Sequence, residues 1–251
     1  MITSKDNPKI KYLKKLTSTK HRKREGKFLV DDLKTCIEGI KKGAKPLSIY
    51  LSKDFEGLNI PDGTPVFQVK HSILAGISGQ PSFSGIIAVF KIPDFSENIF
   101  NSKRIIVLDG VQNPENVGAV LRSACLFDFN AVVLTYRSAD PYSLKSIRAS
   151  KGGIFHLKIA RLKVDEIVEG LKNVSNVFFA EKEGGIPFYR VKKHNGMAIV
   201  FGSEGMGIED RLKSISHKTI TIPTNERIDS LNVAVSCGII ISHFFKGSES
   251  E

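Results

Sequence analysis

Cysteine is scarce in this chain: Cys36, Cys125 and Cys237 are the only three among 251 residues. They lie far apart with no C-x-x-C pair, which excludes a disulfide framework and a zinc ribbon. Each stands in an apolar helical context and reads as a small buried residue. The six histidines are scattered and no H-E-x-x-H occurs, so no zinc-hydrolase arrangement is present. A Walker A sequence is missing, as is a G-x-G-x-x-G between strand and helix. Ser203, in Gly202-Ser203-Glu204-Gly205, lacks the G-x-S-x-G frame of a nucleophile elbow. No apolar leader core opens the sequence. Its most apolar run, Leu231 to Phe245, is shorter than a bilayer span and carries Asn232, Ser236 and His243. These absences lead us to expect a cytoplasmic protein of a reducing compartment, with no membrane partner.

Acidic residues are also in short supply. Thirty-seven Lys and Arg face 26 Asp and Glu, a formal charge of +11. Such an excess points to a polyanionic partner. It is concentrated in residues 1–27, where Lys14, Lys15, Arg22, Lys23 and Arg24 are among ten cations facing only Asp6 and Glu25. Ile10, Leu13 and Leu16 recur there at helical spacing after Asn7-Pro8, a cap and a first-turn proline. A basic helix with a thin apolar stripe can lie on RNA through phosphate contacts. The charge density favours that reading over a solvated helix with one face on the body of the protein.

The remainder alternates strands and helices. FLVDDLKTCIEGIKKG (28–43) reads as a strand end, an Asp cap and an amphipathic helix with Leu33, Cys36, Ile37 and Ile40 on one face. Strands follow at 46–52, 64–69 and 84–92, with a short helix at 71–77. The polar, aperiodic stretch 93–103 separates two domains, 1–95 and 103–246. In the second, RIIVLDG (104–110), AVVLT (131–135), HLKIA (156–160), VFFAE (177–181) and MAIVF (197–201) read as strands between helices. That alternation is the signature of a mostly parallel sheet.

Three polar loops, each after an apolar strand, carry the residues capable of chemistry. Such loops meet helix N-termini at the carboxyl edge of an open α/β sheet, where ligands bind. In the first, Asn116 sits near a helix start and Arg122 lies among Leu121, Ala124 and Leu126. An arginine in that setting needs a phosphate or carboxylate, or else an internal ion pair with Asp128. In the second, Gly202, Gly205 and Gly207 free backbone N–H groups to grip a ligand, and Glu204 is a ligand contact or a loop-ordering acceptor. In the third, Asp229 or Ser230 can cap the terminal helix. Asn232, Ser236 and His243 form one polar stripe along that helix, a wet face or a functional one.

Together these stretches resemble the SpoU/TrmH family of RNA ribose 2′-O-methyltransferases, a branch of the SPOUT superfamily. VLDGVQNPENVGAVLRSA (107–124), IVFGSEGMGI (199–208) and IPTNERIDSLNVAVSCGI (222–239) are similar to its three ordered motifs. SADPYSLKSIRASKGGIF (138–155) resembles the segment between the first two. The N-terminal stretch is similar to the family's substrate-binding extension, related to small kink-turn-binding ribosomal proteins. The chain departs from the pattern at Thr224 and Glu226, where Met and Gly are usual, and at Asp31-Asp32, where Glu-Gly is usual.

The resemblance implies a small N-terminal α/β RNA-binding domain and a SPOUT α/β domain with a parallel sheet and a deep trefoil knot. It implies S-adenosyl-L-methionine as cofactor, a homodimer, and RNA as substrate, ribosomal rather than transfer RNA. Thr135, Gly202, Glu204, Ile222 and Leu231 fall at cofactor positions, and Asn116, Arg122, Ser230 and Asn232 at catalytic ones. Arg122 matches the residue proposed to help deprotonate the ribose hydroxyl. Lys14, Lys15, Arg22, Lys23, Arg24 and Arg148 would contact RNA. The rivals are a tRNA 2′-O-methyltransferase and a non-catalytic RNA-binding or ribosome-assembly factor. No metal is implied. Neutralising Lys14, Lys15, Arg22, Lys23 and Arg24 should weaken RNA binding and flatten its dependence on salt, measured as log K against log salt concentration. An unchanged slope would assign those charges to solubility.

Overall fold

The computed structural model describes residues 1–53, 55, 57–203, 205–225 and 231–245. Its elements begin with α1 (Pro8–Leu16), α2 (Thr19–Glu25), β1 (Lys27–Val30), α3 (Leu33–Lys41), β2 (Ser48–Leu51), β3 (Val66–Gln68), α4 (His71–Ser78) and β4 (Ile86–Lys91). They continue as β5 (Arg104–Leu108), α5 (Pro114–Leu126), β6 (Ala131–Thr135), α6 (Leu144–Ser150), β7 (Lys158–Leu162), α7 (Val164–Leu171) and β8 (Val177–Ala180). The last are β9 (Ile186–Pro187), β10 (Met197–Phe201), α8 (Asp210–Lys213), β11 (Lys218–Thr221) and α9 (Val233–Phe244). These elements form two units. One joins Met1–Pro93 to Asp140–Phe155, and the other joins Asp94–Ala139 to the chain from His156 onward.

In the first unit the Asn7 side chain accepts from the Lys9 N–H and Pro8 opens α1, so the predicted cap forms. Ile10, Leu13 and Leu16 bury the apolar stripe. The basic stretch is two helices rather than one, because Thr17 and Ser18 leave the helix before α2 begins. The sheet has the order β1-β4-β2-β3, with β2 and β3 parallel and the other pairs antiparallel. Leu13, Leu16, Leu29, Leu74 and Ile87 share its core with Tyr50. Fully burying each such aliphatic side chain contributes about 1.5–3 kcal/mol.

Helix α3 forms where expected, with the Asp32 carboxylate accepting from the Thr35 N–H at 2.9 Å. Its buried face is rotated from the predicted one. Thr35, Cys36 and Gly39 are buried, whereas Leu33, Ile37 and Ile40 are half-buried. The cause is Phe155, whose ring would stand 2.6 Å from a Cβ on Gly39. Residues 140–155, read from sequence as part of the second domain, thus pack into the first unit. Phe155 and Tyr142 lie against Phe28 at ring-centroid distances of 6.0 and 5.0 Å. Two ion pairs hold the same segment. The Arg22 guanidinium meets Asp140 at 2.7 Å, and Arg148 pairs with the fully buried Asp31, which also accepts from the Ser78 hydroxyl at 2.5 Å.

The second unit is a seven-stranded sheet in the order β7-β6-β5-β10-β8-β11-β9, parallel at every pairing. Strands β5, β6 and β10 are buried along their whole length, which is why they read as continuous apolar runs. Two-residue β9 has no sequence signature. Strand order reverses direction between β5 and β10, and α9 packs back against α5. That reversal makes a switch point, the place where open α/β sheets bind ligands. Among the described residues no helix is long and apolar enough to cross a membrane.

Asp31→Ala should leave the Arg148 guanidinium without its carboxylate. Breaking such a buried pair costs about 3–5 kcal/mol, to be read as a lower urea midpoint with the m-value unchanged.

Candidate functional site

At the carboxyl end of β5, Asp109 is fully buried and accepts four hydrogen bonds from three groups. Arg137 Nη2 lies 2.8 and 2.9 Å from its two oxygens, Thr135 Oγ1 donates to Oδ1 at 3.1 Å, and the Glu209 N–H donates to Oδ2 at 2.8 Å. Arg137 also meets Glu209 Oε2 at 3.0 Å. The hydrogen bond to Asp109 raises the Arg137 pKa above its ordinary value against the opposing effect of desolvation, with the charges of Asp109 and Glu209 adding to the rise. One carboxylate therefore ties the ends of β5 and β6 to the entry of α8. The Gly110 N–H donates to Thr135 Oγ1 at 3.1 Å, closing the first loop onto β6.

Beyond β10 the chain folds back on itself. The Ser203 and Gly207 backbones exchange hydrogen bonds at 3.2 and 3.0 Å, and Gly207 takes a φ of +65°. A Cβ on Gly202 would collide with the backbone of Gly207 and Ile208, so only glycine allows this close return. Next to it opens a cavity of about 550 Å³, in the usual range for small-ligand sites. Ile208, Ile222, Leu231 and Ile240 give it an apolar wall, while Glu181, Lys182, Thr224, Asn225 and Ser236 give it polar edges. Such a cleft suits a ligand with a flat apolar part and several hydrogen-bonding groups.

Of the predicted cofactor positions, Gly202, Ile222 and Leu231 line this cavity. Thr135 does not, being buried beneath the first loop as an Asp109 ligand. Glu204 and Ser230 lie outside the described residues, as do Glu226 and Asp229. Asn116 and Asn232 come together: Asn232 Nδ2 donates to Asn116 Oδ1 at 3.2 Å. Asn232 itself caps α9, its Oδ1 accepting from the Ala234 N–H at 2.9 Å. The expected polar stripe on α9 divides, because Ser236 faces the cavity while His243 Nε2 bonds the Val191 carbonyl at 2.9 Å. Cys237 on the same helix is buried, and that burial pushes its thiol pKa up, which excludes it as a nucleophile.

Arg122 is exposed on α5 and makes no hydrogen bond or ion pair with any described residue, Asp128 included. Of the apolar neighbours seen in sequence, Leu121 and Ala124 are buried, whereas Leu126 is exposed as Arg122 is. Among the predicted RNA contacts, Lys14, Lys15, Lys23 and Arg24 are exposed in the first unit. Two are corrected. Arg22 is only 3% exposed and bonds Asp140, the Leu16 and Thr17 carbonyls and Thr19. Arg148 bonds Asp31 and the Ser78 carbonyl. Both are structural cations, so the salt-dependence test belongs to the four exposed positions.

Sequence reading missed Arg137, whose partner is 28 residues away with no periodic relation to it. It also missed Glu181 and Lys182, although their place just beyond β8 puts them on the same carboxyl edge as the three loops. No group of three or more His, Cys, Asp or Glu among the described residues could hold a metal ion.

Two family descriptions match the chain: the SpoU rRNA Methylase family over residues 103–242, more than half of the chain, and an MRM3-like substrate binding domain over residues 7–88. The chain is 26% identical over 245 residues to the 23S rRNA (guanosine(2553)-2′-O)-methyltransferase RlmP of Bacillus subtilis, covering 96% of this chain and 98% of that one. It resembles the crystal structure of an RNA 2′-O ribose methyltransferase at 26% identity with a TM-score of 0.79, each chain covered to 97%. An S-adenosylmethionine-bound rRNA methyltransferase from Sinorhizobium meliloti shares the fold, with a TM-score of 0.85 at 22% identity over 97% of this chain and 96% of that one.

Gly202→Ala should force Ser203 and Gly207 apart and speed hydrogen exchange at the Gly207 amide. Gly205→Ala, whose Cβ would meet nothing within 4 Å, should leave that exchange rate as it is.

Proposed function

The chain belongs to the SpoU rRNA methylase family, and on that premise we propose that it methylates a ribose 2′-hydroxyl of ribosomal RNA with S-adenosylmethionine as donor. The observation that carries this reading is the cavity walled by Gly202, Ile222 and Leu231 in the same unit as the Asn116–Asn232 pair. The glycine that a Cβ would block, the apolar wall and the polar edges fit a nucleoside-bearing cofactor. When bound, S-adenosylmethionine supplies an electrophilic methyl group on a sulfonium. Backbone groups around Gly202 and Ile222 would hold it, with Leu231 closing one side. Thr135 contributes at one remove, by fixing Asp109 and hence the loop that Glu209 enters.

For the RNA, Arg122 offers an exposed fork free of internal partners among the described residues, suited to bidentate contact with a phosphate. It is ill suited to act as a literal base. A guanidinium stays protonated in proteins, and a neighbouring phosphate stabilises the cation further. Its role here is to fix the phosphate and orient the adjacent 2′-hydroxyl. Asn116, whose carbonyl oxygen already accepts from Asn232, keeps its amide N–H groups to hold that hydroxyl in line. Ser230 and Glu204 complete the catalytic set in this reading.

The same reading includes a knotted C-terminal segment and a homodimer. The knot is supported by α9 returning to α5 across the switch-point edge. The dimer is supported by Leu126, Val235 and Ile239, apolar side chains 61%, 49% and 36% exposed on those two helices. Ribosomal RNA is preferred because the full-length relative from Bacillus subtilis acts on 23S rRNA.

The test is transfer of radiolabelled methyl to total RNA from a strain lacking the gene. Label in one rRNA, with resistance to alkaline cleavage at one position, is the expected result. Label in tRNA would replace the substrate, and no label with no cofactor binding would favour a non-catalytic RNA-binding factor. Arg122→Lys should lower kcat about a hundredfold, the effect of misplacing a reactant. Near-normal kcat would show that the guanidinium fork is dispensable.

A further inference from the structure

The second unit contains a second cavity, of about 490 Å³, at the opposite edge of its sheet. Lys103, Arg104, Asp128, Asn130, Asn195 and Gly196 line it. Residues 195–196 precede β10, whereas Phe201 and Gly202 at the other end of that strand line the first cavity. At about 3.3 Å per residue the two cavities are roughly 16 Å apart along the strand. The second is therefore separate from the methyl-transfer site.

Arg104 sets this cavity apart. The side chain is only 8% exposed, yet it makes no hydrogen bond or ion pair with any described residue. The other buried arginine among the described residues, Arg22 at 3% exposure, makes five hydrogen bonds. Most of the Arg104 residue is withdrawn from water, but none of its guanidinium nitrogens is wholly buried, so its N–H donors stay open to solvent and to an anion. Arg104 has five N–H donors and lines a polar cavity. Lys103 adds a second cation, and the Asn130 amide adds neutral donors. Asp128 opposes them, leaving one net positive charge around the cavity.

We propose that this cavity binds a phosphate oxyanion, with Arg104 as the fork and Lys103 as the second charge. A guanidinium matches tetrahedral phosphate through paired N–H donors, and one net positive charge complements a single anionic phosphate better than a dianion. The phosphate belongs to an RNA backbone or to a free phosphate-bearing molecule, and the chemistry of recognition is the same.

The test titrates inorganic phosphate into the full chain at low salt, with chloride as control, following the amide NMR signals of Asn130, Asn195 and Gly196. Saturable shifts specific to phosphate are expected. Lys103→Gln should weaken binding and Asp128→Asn should tighten it, each by about two- to fivefold, the range of an exposed charge pair. Asp128 has a φ of +58°, a conformation asparagine accepts, so that substitution spares the backbone. Arg104→Gln should abolish the shifts; if it fails to fold, the two exposed positions carry the test. Shifts that never saturate, or that chloride reproduces, would overturn the proposal. So would an Asp128→Asn variant that loses stability and binds phosphate no better, since Arg104 would then be answered by Asp128. A non-target RNA oligonucleotide distinguishes the sources. Displacement of phosphate by RNA, with a salt slope smaller by about one in Lys103→Gln, assigns the site to RNA backbone. RNA binding that leaves phosphate in place assigns it to a free phosphate-bearing molecule. Neither readout requires methyl transfer.

Discussion

A buried carboxylate must be answered by donors, and in the catalytic unit that requirement organises everything near the cofactor cavity. Asp109 sits fully enclosed at the end of β5, and its oxygens are satisfied only if Thr135, Arg137 and the Glu209 backbone are all in place. Those groups come from β6, the loop after it, and the chain beyond the glycine hairpin. Satisfying one side chain thus fixes the relative positions of three loops that carry no regular structure. The close return of Gly207 onto Gly202 adds a steric constraint of the same kind. Together they hold the mouth of the cavity through backbone and buried groups.

The parallel sheet was legible from sequence because its strands are buried on both faces and read as unbroken apolar runs. The caps of α1 and α3 were legible because a polar side chain bonding two or three residues ahead is a local event. What escaped was non-local. The α3 face turned towards Phe155, more than a hundred residues on, and no periodicity within α3 could report that. The cavity glycine, Ile222 and Leu231 were found through motif resemblance. Arg137 and Lys182 belong to no such pattern, and Thr135 kept its motif position while its side chain turned to a structural task.

Charge was the least transparent signal. The basic surplus correctly suggested a polyanionic partner, but sequence cannot say which cations are already paired. Arg22 and Arg148 looked like RNA contacts and are instead held by Asp140 and Asp31. The Asp31-Asp32 departure from the family pattern has an explanation in those terms: one carboxylate receives Arg148 and the other caps α3. Arg122 went the opposite way, read as an arginine in apolar surroundings and found exposed, because Leu121 and Ala124 turn to the buried face of α5 while Arg122 and Leu126 do not.

The membership of residues 140–155 in the N-terminal unit also bears on how the protein is made. On a translating ribosome the first 93 residues emerge well before the segment that completes their unit. Asp31 has no guanidinium until Arg148 is synthesised, and Gly39 has no aromatic ring against it until Phe155 follows. At the usual 5–20 residues per second, the 62 residues between positions 93 and 155 take roughly 3–12 seconds. For that interval the nascent N-terminal unit carries a carboxylate answered only by the neutral donors of Ser78 and Gln80, and a face without its aromatic cover. Its folding is completed only after β5 and β6 have been made, so the two units mature as interleaved products of synthesis rather than one after the other.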